Sequence, residues 1–204
     1  MKPAPAGDPG YTEAVARLLE RIEPLLANVD RKLLPLRVYV AGGAAAFFHA
    51  GTRVSRDLDA VLSLRIHLPA NLEETYVDRD GKPASVYLDA RYNETLGPLH
   101  EDALGEARPL DLAGIDRQKI DVRVLAPIDL AVSKLGRFDG HDRGDIVALA
   151  RAGLIDADAF GRRAEEALDY YVGHPAAPRA NLRDALKLIR DNAPAPTRKG
   201  RRPR

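Results

Sequence analysis

One stretch, residues 38–64, constrains this chain more than any other. It reads VYVAGGAAAFFHAGTRVSRDLDAVLSL: an apolar run, the pair Gly42-Gly43, a small-residue segment, a polar loop and a second apolar run. The pattern predicts a strand, a tight turn, a short helix and a second strand that begins with Asp57 and Asp59. Residues i and i+2 of a strand point to the same face, so the two carboxylates should share one side of the sheet.

Two carboxylates on one strand face can converge on a divalent cation such as Mg²⁺ or Mn²⁺, as in enzymes of phosphoryl transfer. Gly42 and Gly43 can bring backbone N–H groups close to a phosphate, and the next helix offers its positive N-terminus. Taken singly, an Asp-x-Asp pair is often a solvated strand edge and Gly-Gly often only a turn. Together and in this order, they predict a site for a metal-bound nucleoside triphosphate (NTP).

The loop before the carboxylates adds Arg53, Ser55 and Arg56 as candidate nucleotide-binding residues. The two arginines could neutralise triphosphate charge, or they could pair with the neighbouring aspartates and hold the loop. Both alternatives remain open from the sequence.

Two segments resemble a known family. AGGAA followed by TRVSRDLDAV resembles the Gly-Gly and Arg-x-Ser/Thr-x-Asp-x-Asp signature of the nucleotidyltransferase fold, closest to the branch of AbiEii-like abortive-infection toxins and their relatives. LAPIDLAVSKLGRFDGHDRGDI, residues 125–146, resembles a later motif of that branch. The resemblance covers about residues 36–150. It implies an α/β (α+β) fold, with a small mixed sheet of polymerase β-like type, packing helices and a helical C-terminal part.

The resemblance also implies a third carboxylate on a later strand, as catalytic base or metal ligand. The segments 74–78 and 84–89 flank an Asp-Gly turn signal and predict a β-hairpin that ends at Asp89. Asp89 is favoured because its strand should neighbour that of Asp59. Asp121, on the apolar-alternating segment 119–124, is the rival.

In the later motif, the resemblance implies that Lys134 faces the nucleotide phosphates. Lys134 and Arg137 are spaced to project to similar sides of a helix that starts near Pro127. We expect Asp142 to cap the next helix, and Asp145 to lie within reach of the two cations. These two acids should orient the cations and remain solvated at the mouth of a cleft, so that replacing Lys134 would cost little stability.

The expected organisation is a disordered segment 1–10, a nucleotidyltransferase-like core 11–126, a helical part 127–192 of the same unit and a disordered basic tail 193–204. An amphipathic helix should start at Tyr11 and break at Pro24. Further helices are expected over 156–172 and 179–192. The tail holds five of the 31 basic residues, which leaves 26 against 30 acidic residues, a charge of −4. Such a tail could add salt-sensitive affinity for nucleic acid or act only as a solubilising extension.

Composition excludes some classes of function. The chain has 204 residues and no cysteine, so disulfides and cysteine-based zinc sites are impossible. No apolar run approaches the roughly 20 residues of a membrane span, and a cytoplasmic location is expected. The motif His100-Glu101-Asp102 lacks the second histidine of a zinc-protease helix. His49 is expected to be a packing or surface residue.

These features predict a nucleotidyltransferase that moves a nucleotide from an NTP to a hydroxyl group. RNA such as tRNA, a protein or a small molecule could supply the hydroxyl, and the toxin branch implies a cognate antitoxin. The alternative is a catalytically inactive binding or regulatory module that keeps the fold.

Overall fold

The computed structural model describes residues 7–89 and 97–194. The chain is built around a single mixed β-sheet. Within the described residues, six strands are arranged in the order β3-β4-β2-β1-β6-β5. The strands are β1 (Leu36–Val40), β2 (Asp57–Leu62), β3 (Glu73–Val77), β4 (Pro83–Asp89), β5 (Arg108–Pro109) and β6 (Ile120–Val124). β1 runs antiparallel to β2 and parallel to β6, and β2 runs parallel to β4. The predicted α/β (α+β) class with a mixed sheet is therefore confirmed.

Helices precede, interrupt and follow the strands. They are α1 (Pro9–Glu20), α2 (Gly42–Ala50), α3 (Pro127–Ser133), α4 (Gly140–Arg151), α5 (Ala157–Asp169) and α6 (Ala176–Asn192), with short 3-10 helices at Glu23–Leu26 and Arg31–Leu33. The break predicted at Pro24 is confirmed, because α1 ends before it and Pro24 lies in the first turn of a 3-10 helix. The helices predicted over 156–172 and 179–192 exist with shifted ends. None of the helices in the described residues is both long and apolar enough to cross a membrane.

The chain is ordered earlier than the sequence predicts. Disorder over residues 1–10 is wrong for Pro9 and Gly10, which begin α1. The carboxylate of Asp8 caps this helix by accepting a hydrogen bond from the N–H of Tyr11. Residues 1–6 lie outside the described part of the chain, as do residues 195–204 of the predicted basic tail.

The predicted β-hairpin is confirmed. β3 and β4 pair antiparallel, with Val77 opposite Pro83. Gly81 in the connecting turn has a φ of 77°, a left-handed conformation that favours glycine. The hairpin joins the sheet through β4, which delivers Asp89 beside β2.

An aromatic cluster fixes α2 to the rest of the core. Tyr11 of α1 packs edge-to-face on Phe47 at 4.8 Å between ring centroids, and on Tyr76 of β3 at 5.8 Å. Phe47 in turn packs on Phe48 at 5.3 Å. Such pairs add about 0.5–1.5 kcal/mol each beyond their buried area. The cluster therefore fixes the second half of α2 against α1 and the sheet.

A buried ion pair joins α3 to α5. The carboxylate of Asp129 is fully buried and accepts hydrogen bonds from Nε of Arg163 at 2.7 Å and from Nη2 at 3.1 Å. Both nitrogens of the guanidinium fork engage both oxygens, the strongest geometry for such a pair. Arg163, which no sequence pattern indicated, thus anchors the helical part of the chain against the helix that carries Lys134 at its end.

Candidate functional site

A tight turn places the N-terminus of α2 against β2. Gly42 has a φ of 56°, and a Cβ added there would collide with Oδ2 of Asp59. A Cβ at Gly43 would meet Oγ of Ser55 at 2.8 Å, closer than real Cβ contacts allow. The N–H of Ala41 donates to the carbonyl oxygen of Asp59 at 2.8 Å. The glycine pair therefore permits α2 to start at Gly42, directly beside a carboxylate.

Three carboxylates come together where β2 and β4 run side by side. Leu58 and Ala60 of β2 are buried, whereas Asp57 and Asp59 alternate with them and are only partly buried, so the two acids share a face as predicted. In the parallel register of β2 with β4, Asp59 lies opposite Asp89. The strand pairing thus places Asp89 beside Asp59, as the sequence favoured.

These elements line one cleft of about 490 Å³. Its walls hold almost every predicted site residue: Gly42, Gly43, Arg53, Ser55, Asp57, Asp59, Asp89, Lys134 and Arg137. Arg56 is the exception, because it lines a separate surface cavity with residues of β3 and β4. The structure therefore brings the two sequence motifs together although about 75 residues separate them in the chain.

Repulsion among the three carboxylates contributes to a raised pKa of Asp59. Burial, followed by the charges of Asp57 and Asp89, raises the pKa of Asp59 from 3.8 to about 6. Lys134 and Arg137 across the cleft oppose this rise but do not cancel it. No side-chain hydrogen bond from the described residues reaches the Asp59 carboxylate. The sheet wall of the cleft is thus a site of concentrated negative charge.

Ser55 orients the neighbouring acid. Its hydroxyl donates to Oδ1 of Asp57 at 2.9 Å, and the side chain is only 4% exposed. Because this hydroxyl also lies against Gly43, Ser55 ties the first carboxylate to the glycine turn. Its predicted contact with nucleotide stays a prediction, and its visible contact is with Asp57.

Tyr11 is a component of this region that the sequence analysis missed. The side chain is fully buried, and its hydroxyl approaches the backbone of Ser55 without a hydrogen bond of standard geometry. Burial, then the Tyr76 hydroxyl and the Asp57 carboxylate, raise its pKa. The apolar helical pattern around Tyr11 indicated packing and gave no signal that the ring would lie near the carboxylates.

The donor set suits a cation that is shared with a substrate. Within residues 7–89 and 97–194, no group of three or more His, Asp or Glu side chains is placed to hold a metal ion by itself. Mg²⁺, however, is usually bound through one or two carboxylates together with substrate phosphates. A cation between Asp57 and Asp59 would also relieve the repulsion that raises the pKa of Asp59. The residues present therefore fit a cation that arrives with a phosphate ligand.

The opposite wall is built from paired charges. Nζ of Lys134 lies 3.1 Å from Oδ1 of Asp142 and 2.7 Å from Oδ2 of Asp145. The three side chains are 6%, 5% and 3% exposed. The reach of Asp145 to Lys134 is confirmed. The expectation that the two acids would be solvated is wrong, because the helices close over them.

Arg137 completes this wall at the surface. Its Nε and Nη2 donate to both oxygens of Asp142, at 3.0 and 3.1 Å, while the side chain remains 68% exposed. The hydrogen bond to Asp142 raises the pKa of Arg137. Burial opposes ionisation of Asp142, but hydrogen bonds and charge from Arg137 and Lys134 prevail and lower its pKa. The carboxylate of Asp142 thus serves both cations.

The local structure of this motif differs from the prediction in two respects. The helix that starts at Pro127 ends at Ser133, so Lys134 is its C-cap and Arg137 lies in the following turn. The cap of α4 is Asp139, which accepts from the N–H of Asp142 at 3.0 Å. Asp142 instead occupies the third helical position and completes a capping box. That position points its carboxylate back toward the two cations.

The two loop arginines are not paired with the aspartates. Arg53 and Arg56 are exposed, and neither forms an ion pair within the described residues. Arg53 approaches the glycine turn, with Nη2 3.6 Å from the Cβ position of Gly43. Of the two alternatives left open by the sequence, ion pairing with the aspartates is therefore not seen for either arginine.

The rival carboxylate lies elsewhere. Asp121 of β6 pairs with Arg123 at 2.8 Å and lies opposite Arg37 in the sheet. It lines a small cavity beside β5, not the cleft. Nε2 of His49 donates a hydrogen bond to the carbonyl oxygen of Leu125 at 2.7 Å, and burial lowers the pKa of His49. Of the two roles left open for His49, packing or surface, the contact with Leu125 favours packing.

The cleft also includes residues that were not among the predicted site residues: Gly97 and Leu99, which lie outside both motifs, and Ser133 and His141, which lie within the later one. A Cβ at Gly97 would collide with the carbonyl oxygen of Ser133, so this glycine allows the chain after β4 to lie against the end of α3. Such a long-range approach leaves no local pattern in the sequence.

Comparison with known proteins agrees with this architecture. The model of one family, described as a nucleotidyltransferase of unknown function (DUF6036), matches residues 15–184 and so spans both motifs and both walls of the cleft. The match does not single out the AbiEii-like branch. No curated protein and no solved structure matches the chain significantly. The chain belongs to the DUF6036 family, nucleotidyltransferases of unknown function.

Proposed function

We propose that the protein is a metal-dependent nucleotidyltransferase that moves a nucleoside monophosphate from an NTP to a hydroxyl acceptor. One observation carries the proposal: a single cleft joins the Asp57, Asp59 and Asp89 carboxylates to the glycine turn at the N-terminus of α2. The carboxylates suit a divalent cation, and the helix N-terminus suits phosphate.

Each wall has a distinct part in this proposal. Asp57 and Asp59 would hold Mg²⁺ or Mn²⁺, and the bound cation would supply charge neutralisation for the phosphates. The backbone N–H groups at Gly42 and Gly43 hold phosphate oxygens, and the exposed Arg53 adds positive charge nearby. Arg137 and Lys134 are the cations of the opposite wall, and Lys134 acts on the cleft through its electrostatic field.

The proposed transfer uses only the NTP and the acceptor hydroxyl as reactants. The acceptor oxygen attacks the α-phosphorus and forms a new O–P bond, while the bond from the α-phosphorus to its bridging oxygen breaks and pyrophosphate leaves. The hydroxyl proton passes to a base, for which Asp89 is the candidate because it lies beside Asp59 on the adjacent strand. The family resemblance suggests RNA such as tRNA or a protein as acceptor, and a toxin with a cognate antitoxin as context.

A second candidate is an NTP-binding or regulatory module without transferase activity. The state of Lys134 favours it, since this lysine is buried between two carboxylates and needs no phosphate to be neutralised. A module of this kind would bind NTP through the glycine turn and Arg53, yet release it unchanged.

Incubation with each NTP labelled at the α-phosphate, together with Mg²⁺ or Mn²⁺ and cellular RNA or protein, tests the proposal. We expect labelled product from the wild type and its loss, by at least about 100-fold, in Asp57→Asn and Asp59→Asn. Asp121→Asn is the matched control, because it removes the same charge outside the cleft. Equal labelling by Asp59→Asn would refute metal ligation by that residue. Binding of NTP with no labelled product would favour the module.

A further inference from the structure

A second pocket opens directly beside the candidate active-site cleft. It has a volume of about 440 Å³ and lies between the segment 97–104 and the turn 170–173 that follows α5. Gly97 and Leu99 line both cavities, so the two spaces share a wall. We call this space the adjoining pocket.

The lining of the adjoining pocket is apolar and aromatic. Tyr170 and Tyr171 both contribute to it, and Leu99, Leu104 and Val172 supply aliphatic surface. Tyr170 is 66% exposed and Val172 is fully exposed, so the rim presents apolar groups to solvent. Small-molecule sites are typically concave and mostly apolar, with a few polar groups that fix orientation.

Gly173 leaves the space that the ring of Tyr171 occupies. A Cβ at Gly173 would collide with the ring carbons and hydroxyl of Tyr171. The ring of Tyr171 therefore lies over the backbone of Gly173, a placement that any side chain at residue 173 would prevent. The atoms in collision belong to the far end of the tyrosine, so a substitution would swing the ring away without rebuilding the backbone.

The charges around the adjoining pocket restrict what it can hold. Among the described residues that line it, none is a lysine or arginine, and Glu101 is one of them. His100, also in the lining, is buried, accepts a hydrogen bond from the N–H of Asp102 at Nδ1 and lies 3.4 Å from Glu166 at Nε2. Phosphate groups and a nucleic-acid backbone would be repelled here, whereas a flat uncharged ring would not.

We propose that the adjoining pocket binds the base of the NTP whose phosphates occupy the cleft, an inference that rests on the proposed function. Gly97 packs on the carbonyl of Ser133, next to Lys134, so the pocket continues from the wall of the cleft that carries the cations. A nucleotide held by its phosphates between the two walls can extend its base past Gly97 and Leu99. Base stacking on an aromatic ring tolerates any base, because every base has a π-face.

Isothermal titration of the full chain with ATP, GTP, CTP, UTP and inorganic triphosphate, each with Mg²⁺, tests this inference. Inorganic triphosphate probes the cleft alone. We expect at least one NTP to bind the wild type more tightly than triphosphate does. Tyr171→Ala and Gly173→Ala should each raise the Kd of that NTP about 5- to 100-fold and leave the Kd of triphosphate unchanged.

Two controls separate the ring from general effects. Tyr171→Phe keeps the stacking surface and should bind the NTP as the wild type does. Leu33→Ala removes an exposed apolar side chain from the 3-10 helix Arg31–Leu33, and it should also leave both affinities unchanged. Gly173→Ala removes no atom, so weaker binding by this variant would be due to displacement of the Tyr171 ring.

The remaining outcomes distinguish the two proposals. If NTP affinity is the same in the wild type, Tyr171→Ala and Gly173→Ala, the inference fails while the proposed function stands. The inference also fails if these variants keep NTP affinity but raise the KM for an RNA or protein acceptor, because the pocket would then serve the acceptor. If the wild type binds neither NTP nor triphosphate, the proposed function fails and this inference fails with it.

Discussion

The two walls of the cleft carry charge in opposite ways. On the sheet wall, Asp57, Asp59 and Asp89 lie close enough that their charges, with burial, raise the pKa of Asp59 to about 6. On the helical wall, Lys134 is enclosed by Asp142 and Asp145, and the charges are paired within the protein. One wall is strained electrostatically and the other is satisfied.

This difference separates the residues to which we assign ligand binding from residues whose charges are already paired within the protein. A buried ion pair adds little net stability when both partners are present, but removing one partner destabilises the fold strongly because the other charge is left buried and unpaired. Carboxylates crowded without a cation destabilise the fold and are kept where function requires them. In the proposed function the sheet wall carries the binding chemistry, whereas Lys134 is the centre of a buried network of paired charges.

The largest expected effect on stability comes from removing one partner from the paired charges of the helical wall. Lys134→Ala leaves the buried carboxylates of Asp142 and Asp145 without their common partner. We expect a loss of about 3–5 kcal/mol in the free energy of unfolding, measured by urea denaturation. This reverses the expectation from the sequence, which placed the acids in solvent.

Two comparisons sharpen that result. Arg137→Ala removes a largely exposed partner of the same carboxylate and should cost about 1 kcal/mol or less. The triple variant Lys134→Met, Asp142→Asn, Asp145→Asn removes the buried charges together and should recover much of the loss. Stability of Lys134→Ala equal to that of the wild type would show that the network is not what holds this wall.

On the sheet wall, replacing Asp59 should stabilise the folded protein. The pKa of Asp59 is about 6 in the folded protein against 3.8 when exposed. Between these values the folded state binds more protons than the unfolded state, so stability falls as pH rises from about 4 to about 7. The cost at pH 7 is about 2–3 kcal/mol. Asp59→Asn should escape it, and should unfold at higher urea concentration than the wild type at pH 7.5.

The measurement is urea unfolding of both proteins from pH 4 to pH 8. The difference between the variant and the wild type should be near zero at pH 4, grow through pH 6 and level off above pH 7. A constant difference across this range would mean that the carboxylate of Asp59 is not strained.

A smaller effect is expected from a cation alone. Mg²⁺ or Mn²⁺ at ten times its Kd should stabilise the wild type by about 1.4 kcal/mol, and thermal unfolding would detect this as a rise in Tm. Asp57→Asn and Asp59→Asn should lose the rise, whereas Asp121→Asn should keep it. An equal rise in all four proteins would place the cation away from the sheet wall.

The sequence predicted the sheet wall better than the helical wall, for a physical reason. The positions of Asp57 and Asp59 follow from strand periodicity, and the approach of Gly42 follows from the absence of a Cβ, so both are local. The hairpin turn at Gly81 is local as well. These features appeared in the structure within one or two residues of where they were predicted.

The helical wall depends on contacts between distant elements. Burial of Lys134 requires α4 to fold over the end of α3, and the Asp129–Arg163 pair requires α5 to dock on α3. The adjoining pocket depends on Gly97 approaching Ser133 and on Tyr171 lying over Gly173. A solvated lysine and an enclosed lysine give the same local sequence pattern. The environment of Lys134 could therefore not be predicted from the sequence.

The smallest expected effect distinguishes the two candidates for the third carboxylate. Asp121 forms an ion pair with Arg123 on β6, outside the cleft, and both side chains are partly exposed. Asp121→Asn should therefore change the free energy of unfolding by about 1 kcal/mol or less and leave nucleotidyl transfer within about twofold of the wild type. Asp89→Asn should abolish transfer, because Asp89 stands beside Asp59 in the cleft. The initial rate of labelled product formation checks both. A loss of transfer in Asp121→Asn with full activity in Asp89→Asn would move the third carboxylate to β6 and extend the sheet wall across β1.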